Sequence, residues 1–439
     1  MKGKFFRLRK ISAVYFSFVL LISCSTRRQI SRQANEALIS IKELSSAHVG
    51  ISVYDLQSQK YLYNYQANKY FVPASNTKLF TLYAGLKYLE DSIIAARIAV
   101  ENGSVIIQAT GDPTFLHPDF TNQPLLKLLQ QAAIKSISIN TDFASKPYGA
   151  GWAWDDFQDD YMAERDPFPM YGDVARVIYG GDSIRTIPPF LKQLVVGTLV
   201  KGKPWAVTRE LGAHYYTIDT TIGTIANEKI VTMAMEAGRF ATRNLADTLH
   251  KPVVSEYTPL DRTASFPVYS QPKDSLFRLM MHRSDNFFAE QTLLMASNER
   301  LGIMSDSKMI DTLLKDDFKE LPQKPKWVDG SGLSRYNLFS PQDFIWLLLK
   351  LRAEFGIERL RVILAGANEG TLSGLYKGYD NYIFAKTGTL SNNIALSGYL
   401  STKKNRQLVF SILINNHQSS SSYLRKQIEK FLTGIIDRS

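Results

Sequence analysis

Hydrophobic positions change period several times along the chain, and each change marks an element. Residues 48–56 (HVGISVYDL) alternate as a strand does, 57–60 read as a turn, and 61–65 as the return strand. From Asn76 the apolar residues Leu79, Phe80, Leu82, Tyr83, Leu86 and Leu89 recur at helical spacing, so the hairpin leads through Pro73, Ala74 and Ser75 into a buried helix. The far end mirrors this. Residues 382–387, 394–401 and 407–415 are β-rich, 403–406 (KKNR) form a tight polar turn, and 421–436 read as a final helix. Residues 25–46 are polar and partly helical. Strands at both ends with helices between predict an α+β fold, an antiparallel sheet flanked by helices. The middle, 97–269, is different: Gly, Pro and Asp are frequent, and β-like runs such as 104–109 are short. It reads as a large β-rich inserted region without a fixed-period repeat or low-complexity tract.

The N-terminus does not belong to that core. Lys2, Lys4, Arg7, Arg9 and Lys10 form a positive n-region, and 11–23 an apolar stretch too short to span a bilayer. The stretch ends in Leu21-Ile22-Ser23-Cys24, which resembles the lipobox of bacterial lipoproteins. On that reading 1–23 are a signal peptide and Cys24 carries a lipid that tethers the chain to a membrane. The alternative is a plain secretory signal with an incidental cysteine. Cys24 is the single cysteine, so no intrachain disulfide is expected, and the exported domain must be stable by packing alone.

Composition adds limits rather than detail. With 439 residues, 45% hydrophobic and 21% charged, the chain has room for two or three domains and a sizeable core. The formal charge of +11 falls to +6 without the five cations of the n-region. That suits an anionic wall or lipid surface, or solubility alone. No dense Lys/Arg stripe with interleaved aromatics points to nucleic acid. His48, His117, His214, His250, His282 and His417 show no metal-ligand spacing, so neither metal nor cofactor is expected.

Three short motifs carry the chemistry: Ser75-Asn76-Thr77-Lys78 (S-x-x-K), Ser284-Asp285-Asn286 (S-D-N) and Lys386-Thr387-Gly388 (K-T-G). Singly, each has a bland reading: a helix cap, a surface lysine, a strand and turn. In this order they are the trio of β-lactamases and penicillin-binding proteins. Positions i and i+3 on a helix share a face, so Lys78 can reach the Ser75 hydroxyl. A desolvated lysine near other cations, here Lys386, loses basicity and can act as a neutral amine, making Ser75 the nucleophile and Lys78 its base. Backbone N–H groups of Ser75 and Thr389 can face a developing oxyanion. Lys386 and Thr387 offer a cation and a hydroxyl to a substrate carboxylate. Gly388 leaves room for substrate backbone. Ser284 can relay a proton to the leaving amine, Asn286 can bond a substrate amide, and Asp285 reads as a structural residue of its loop. His282, beside Ser284, reads as loop or helix surface. Trp152 and Trp154 are candidates to line the site.

Longer segments extend the resemblance. Asp329-Gly330-Ser331-Gly332-Leu333-Ser334-Arg335, followed by Asn337 and Ser340-Pro341, is similar to the D-G-S-G-L-S-R segment of the D-alanyl-D-alanine carboxypeptidase/endopeptidase family, the class C low-molecular-mass penicillin-binding proteins. Gly111-Asp112-Pro113-Thr114 resembles its G-D-P-T segment, and Gly151-Trp152-Ala153-Trp154-Asp155-Asp156 its G-W-x-W segment. The similarity spans about Val49 to Asn416. It implies a β-lactamase/transpeptidase-like domain from 24–96 and 270–439, interrupted by one or more domains over 97–269. The 209 residues from Ser75 to Ser284 fit such an insertion, somewhat short for the family. Residues 165–177 (RDPFPMYGDVARV) stand where an Asn-rich segment is expected, a departure that falls within the insert.

The resemblance further implies that Asp156 and Arg335 meet the amino and carboxylate ends of the stem peptide's diamino acid, with Ser391 nearby. For Asp156 the alternative is a capping acid, and for Arg335 a structural ion pair. The implied protein is a periplasmic lipoprotein acting on peptidoglycan peptides, acylated by β-lactams, and in a family that includes dimers. Ser25 after Cys24 leans toward the outer membrane. Two rivals remain. A β-lactamase shares the trio, but no Glu-x-x-x-Asn follows Asn286 at the distance class A enzymes need. A non-catalytic wall-binding lipoprotein would not require an intact trio.

Overall fold

The computed structural model describes residues 26–438, apart from 142, 181–182, 200–205, 221–226, 234–236, 256–259 and 261–262. The expected signal segment and Cys24 lie outside the described residues. Among the described residues no helix is long and apolar enough to cross a membrane. The chain divides into two compact units. One holds the described residues up to Asn76 with Leu321–Lys326 and 337–438; the other holds Thr77–Glu320 and Trp327–Tyr336.

The first unit is built on a six-stranded antiparallel sheet, in the order Ala365–Gly366, Ile383–Leu390, Asn393–Ser401, Gln407–Asn415, His48–Asp55, Lys60–Tyr65. The strand pattern of the sequence reading is present at both ends of the chain, and the first and last strands pair from His48–Asn415 to Asp55–Leu408. Gln407–Asn415 is buried at every position after Gln407, as a central strand covered on both faces must be. One face packs Ile51, Val53, Leu396 and Ile412 against Leu424, Ile428, Phe431 and Ile435 of the C-terminal helix Ser421–Arg438. The helix Pro341–Phe355 is buried through Phe344, Leu347, Leu348 and Leu351. It begins with a capping box, in which the Ser340 hydroxyl accepts from the Asp343 N–H and the Asp343 carboxylate accepts from the Ser340 N–H, with Pro341 in the first turn.

The second unit combines helices Lys78–Tyr88, Lys273–Arg283, Asn286–Leu301 and Asp306–Lys315 with β structure. A Cβ on Gly85 would lie 2.5 Å from the Phe277 ring and 2.7 Å from Thr292 Cγ2, so glycine there lets three helices meet. A five-stranded mixed sheet runs Val253–Ser255, Ser136–Asn140, Ser104–Ala109, Ser92–Glu101, Phe266–Pro272. Two three-stranded sheets follow, and the helix Ala237–Leu249 adds Phe240, Ala241 and Leu245 to the core. The middle of the chain is β-rich, as its short runs predicted. That helix escaped the sequence reading, which weighed the Gly, Pro and Asp content of the whole region.

Candidate active site

In the first unit, Ser75 lies on the 3-10 turn Ala74–Thr77, entered through Ala74 at φ +49°. The α-helix starts two residues later than the apolar spacing suggested, at Lys78. Ser75 is half-buried, whereas Asn76, Thr77 and Lys78 are fully buried. The turn is fixed against the K-T-G strand. The Asn76 side chain bonds Ser397 Oγ at 2.7 Å and, with its amide swapped, donates to the Lys386 carbonyl at 2.7 Å. A Cβ on Gly388 would sit 2.7 Å from the Pro73 carbonyl oxygen and 3.1 Å from the Asn76 nitrogen. Glycine at 388 thus admits the chain's own serine turn, a packing reason absent from the sequence reading.

Along the same strand Lys386 is completely buried, and its Nζ donates to the Thr387 carbonyl at 2.7 Å. The Thr387 hydroxyl donates to Thr371 Oγ1 at 2.7 Å, and Arg425 donates to Thr389 Oγ1 at 2.9 Å. Neither Thr371 nor Arg425 was marked by any motif. Ser391 is exposed in the two-residue turn to the next strand, where Asn392 takes φ +67°.

In the second unit Lys78 is the centre. Its Nζ donates to Asn286 Oδ1 at 2.6 Å and to the Ser331 carbonyl at 2.7 Å. Burial lowers its pKa to about 8; Asp329, Asp285 and Glu290 pull the other way. The acids are mostly occupied by N–H donors. Asp285 caps the helix Asn286–Leu301 by accepting from the Phe288 N–H at 2.8 Å, the structural role its position suggested. Glu290 accepts from the Ser331 N–H at 2.7 Å and from Arg165 at 2.7 and 2.9 Å. Asp329 accepts from the N–H groups of Gly332 and Ser334 at 2.9 and 2.6 Å and from the Trp152 indole at 2.8 Å. The D-G-S-G segment is therefore a buried loop that aims one carbonyl at Lys78. Asn286 and Glu290 are four residues apart on one helix face, which is why the same helix reaches both Lys78 and the loop behind it.

Asn286 also donates to the Tyr161 carbonyl at 3.0 Å. Burial, with hydrogen bonding to Asp159 and the charge of Asp156, raises the Tyr161 pKa. Asp156 is half-buried on the turn Trp154–Asp156. The Arg335 N–H donates to the Gly151 carbonyl at 3.2 Å, and the Ser334 hydroxyl to the Ala150 carbonyl at 2.7 Å. The two segments that carry Asp156 and Arg335 thus touch, while the Arg335 side chain is exposed. Trp152 is inside this joint and Trp154 is 74% exposed. Ser284 ends the helix Lys273–Arg283 at φ +60°. His282, expected at the surface, is buried in the last turn of that helix. Helical periodicity turns it inward beside Met281, a placement its polar type did not suggest.

Arg165, Glu290, Ser331 and Tyr161 escaped the sequence reading as site residues. Arg165 opens the RDPFPM run that looked like a departure. Its guanidinium is buried between Glu290 and Asp306, 2.7 and 3.0 Å away, and lies 5.3 Å from the Trp152 ring centre. The G-D-P-T segment joins the same support: the Gly111 N–H donates to the Pro167 carbonyl at 2.9 Å, and Gln291 donates to the carbonyls of Gly111 and Asp166 at 2.9 and 2.7 Å.

A serine turn seated on a K-T-G strand, followed at once by a buried lysine on an S-D-N asparagine, defines the penicillin-binding class of serine hydrolases. Residues 31–188 and 189–435 match the D-Ala-D-Ala carboxypeptidase 3 (S13) family, and the chain belongs to that family. It is a peptidase of D-alanyl-D-alanine substrates. It is 23% identical over 469 residues, 94% of each chain, to D-alanyl-D-alanine carboxypeptidase DacB of Haemophilus influenzae. Its fold is similar to the crystal structure of penicillin binding protein 4 (dacB) from Haemophilus influenzae. The TM-score is 0.72 at 18% identity, covering 92% of this chain and 97% of that one. A predatory peptidoglycan endopeptidase from Bdellovibrio bacteriovorus is similar with a TM-score of 0.53 at 12% identity, covering 88% and 93%.

Proposed function

We propose that Ser75 is the acylated nucleophile of this peptidase and that Lys78, as a neutral amine, is its base. The observation that carries the reading is Lys78 itself: wholly buried, three residues after Ser75, and bonded to two uncharged oxygens, with its pKa lowered to about 8. An amine in that state takes the Ser75 proton as the oxygen attacks the carbonyl of the penultimate D-alanine. The tetrahedral oxyanion meets the N–H groups of Ser75 and Thr389. Its collapse breaks the C–N bond: Lys78 gives the proton it took to the Ser284 hydroxyl, which passes its own to the leaving nitrogen, while Asn286 holds the substrate amide. Water then attacks the acyl carbonyl and gives its proton to the again neutral Lys78, which returns it to Ser75 Oγ as the ester bond breaks. Lys386, Thr387 and the backbone at Gly388 hold the terminal carboxylate. Asp156, Arg335 and Ser391 face the diamino acid of the stem peptide.

We read residues 97–269 as the insertion in this catalytic domain. The lipobox places the enzyme in the periplasm, anchored through Cys24, with Ser25 favouring the outer membrane. β-Lactams, which one of the solved structures most similar in fold holds as a bound ligand, acylate Ser75 in place of peptide. The test is labelling of the intact protein with a fluorescent penicillin, repeated on Ser75→Ala. Label on the wild type and none on the variant is expected; equal labelling of both overturns the assignment. Steady turnover of nitrocefin would make the protein a β-lactamase instead.

A further inference from the structure

Beside Ser284 and Asn286 the second unit contains a cavity of about 370 Å³, within the size range of sites for drug-sized ligands. Its wall includes His117, Asp160, Arg176, Ile230 and Arg283. None of these belongs to the S-x-x-K, K-T-G or D-G-S-G-L-S-R segments. Both arginines line the same cavity as His117, whose pKa burial lowers to about 4. Each arginine is held in an ion pair, Arg176 with Glu228 at 3.2 Å and Arg283 with the Asp119 carboxylate. Such pinning reduces the rotamer freedom that binding would otherwise remove. Asp285 also lines the cavity, but its carboxylate is turned to the Phe288 N–H. Asp160 is left as an exposed acid of the wall, suited to a peptide N–H.

We propose that this cavity binds the leaving strand of a peptide cross-link, with Arg176 and Arg283 holding a carboxylate of that strand. The proposal rests on the reading of Ser75 and Ser284 above. Ser284 is there the group nearest the departing nitrogen, so whatever follows that nitrogen extends into the space beside Ser284. A departing D-alanine is far smaller than the cavity, and its single carboxylate is already met by Lys386. An acidic peptide fits the volume, the two cations and the acceptor. The reaction is the one already described, with the amine of a second stem peptide leaving in place of D-alanine.

The experiment compares kcat and KM for a cross-linked muropeptide dimer and a monomeric pentapeptide, using the full chain and the variants Arg176→Gln, Arg283→Gln, Arg176→Lys and Arg283→Lys. The Gln variants are expected to raise KM for the dimer about tenfold to a hundredfold, the loss of a charged hydrogen bond, and KM for the pentapeptide much less. The Lys variants should recover part of that loss. Equal changes for both substrates, or none, overturn the proposal. So does a wild type that is acylated by penicillin and cleaves pentapeptide but not the dimer. Failure of the underlying reading looks different: the wild type would then take no penicillin on Ser75.

Discussion

Lys78 and Lys386 are both wholly buried, yet their surroundings differ. Lys386 is on a strand of the first unit and donates to its neighbour's carbonyl, at Thr387. Lys78 starts a helix of the second unit and is held by an asparagine oxygen and a loop carbonyl. Three acids draw its pKa upward against burial, and two of them, Glu290 and Asp329, accept from backbone N–H groups. Burial is put to two uses. Around Lys78 a polar loop and an asparagine offer a desolvated amine two uncharged acceptors, and burial leaves it able to lose its proton. Around Lys386 the side chain follows the strand, and regular sheet register does the positioning.

The largest effect should come from breaking the first of these arrangements. Lys78→Arg keeps a cation that cannot deprotonate, and penicillin acylation should fall about 10²- to 10⁴-fold. In the wild type the neutral form grows as pH rises, so acylation should climb about tenfold per unit below pH 8 and level off above it. Retention of activity by the arginine variant would make Lys78 an electrostatic group rather than a base.

Removing the support behind Lys78 comes next. Glu290→Ala removes the shorter ion pair of the buried Arg165 and strips the acceptor from the Ser331 N–H. A loss of about 3–5 kcal/mol in urea denaturation is expected. A loss under about 1 kcal/mol would show that the loop holds its shape without the ion pair.

Gly388→Ala tests the strand side. Its methyl would press on the Pro73 carbonyl, so a destabilisation of about 1–3 kcal/mol is expected, with slower acylation and the pH step still near 8. A displaced pH step would show that the strand also sets the state of Lys78. The smallest effect belongs to Thr371→Val, which leaves the Thr387 hydroxyl without its acceptor at a cost of about 0.5–1.5 kcal/mol, read by thermal melting.

The candidate site residues were legible because each motif is local. Ser75 and Lys78 are one turn apart, Ser284 and Asn286 flank a helix cap, and Lys386 to Gly388 are consecutive on one strand. The end strands were legible because alternation has a period of two and needs no knowledge of the rest of the chain. Arg165, Glu290 and Ser331 were not, since an interior ion pair 125 residues apart has no sequence period. His282 was misplaced for a related reason: only packing tells which face of a short helix is inside.

The class of enzyme, the spacing of the serine and lysine that we propose as nucleophile and base, and the sheet at the two chain ends all follow from the sequence. Tertiary structure alone decided that Gly388 faces the serine turn, that Glu290 and Asp329 hold the loop presenting the Ser331 carbonyl, and that burial lowers Lys78 to about 8. The reason is physical. Propensity and motif act over a few residues, whereas desolvation and hydrogen-bond satisfaction depend on which distant segments arrive at the same place.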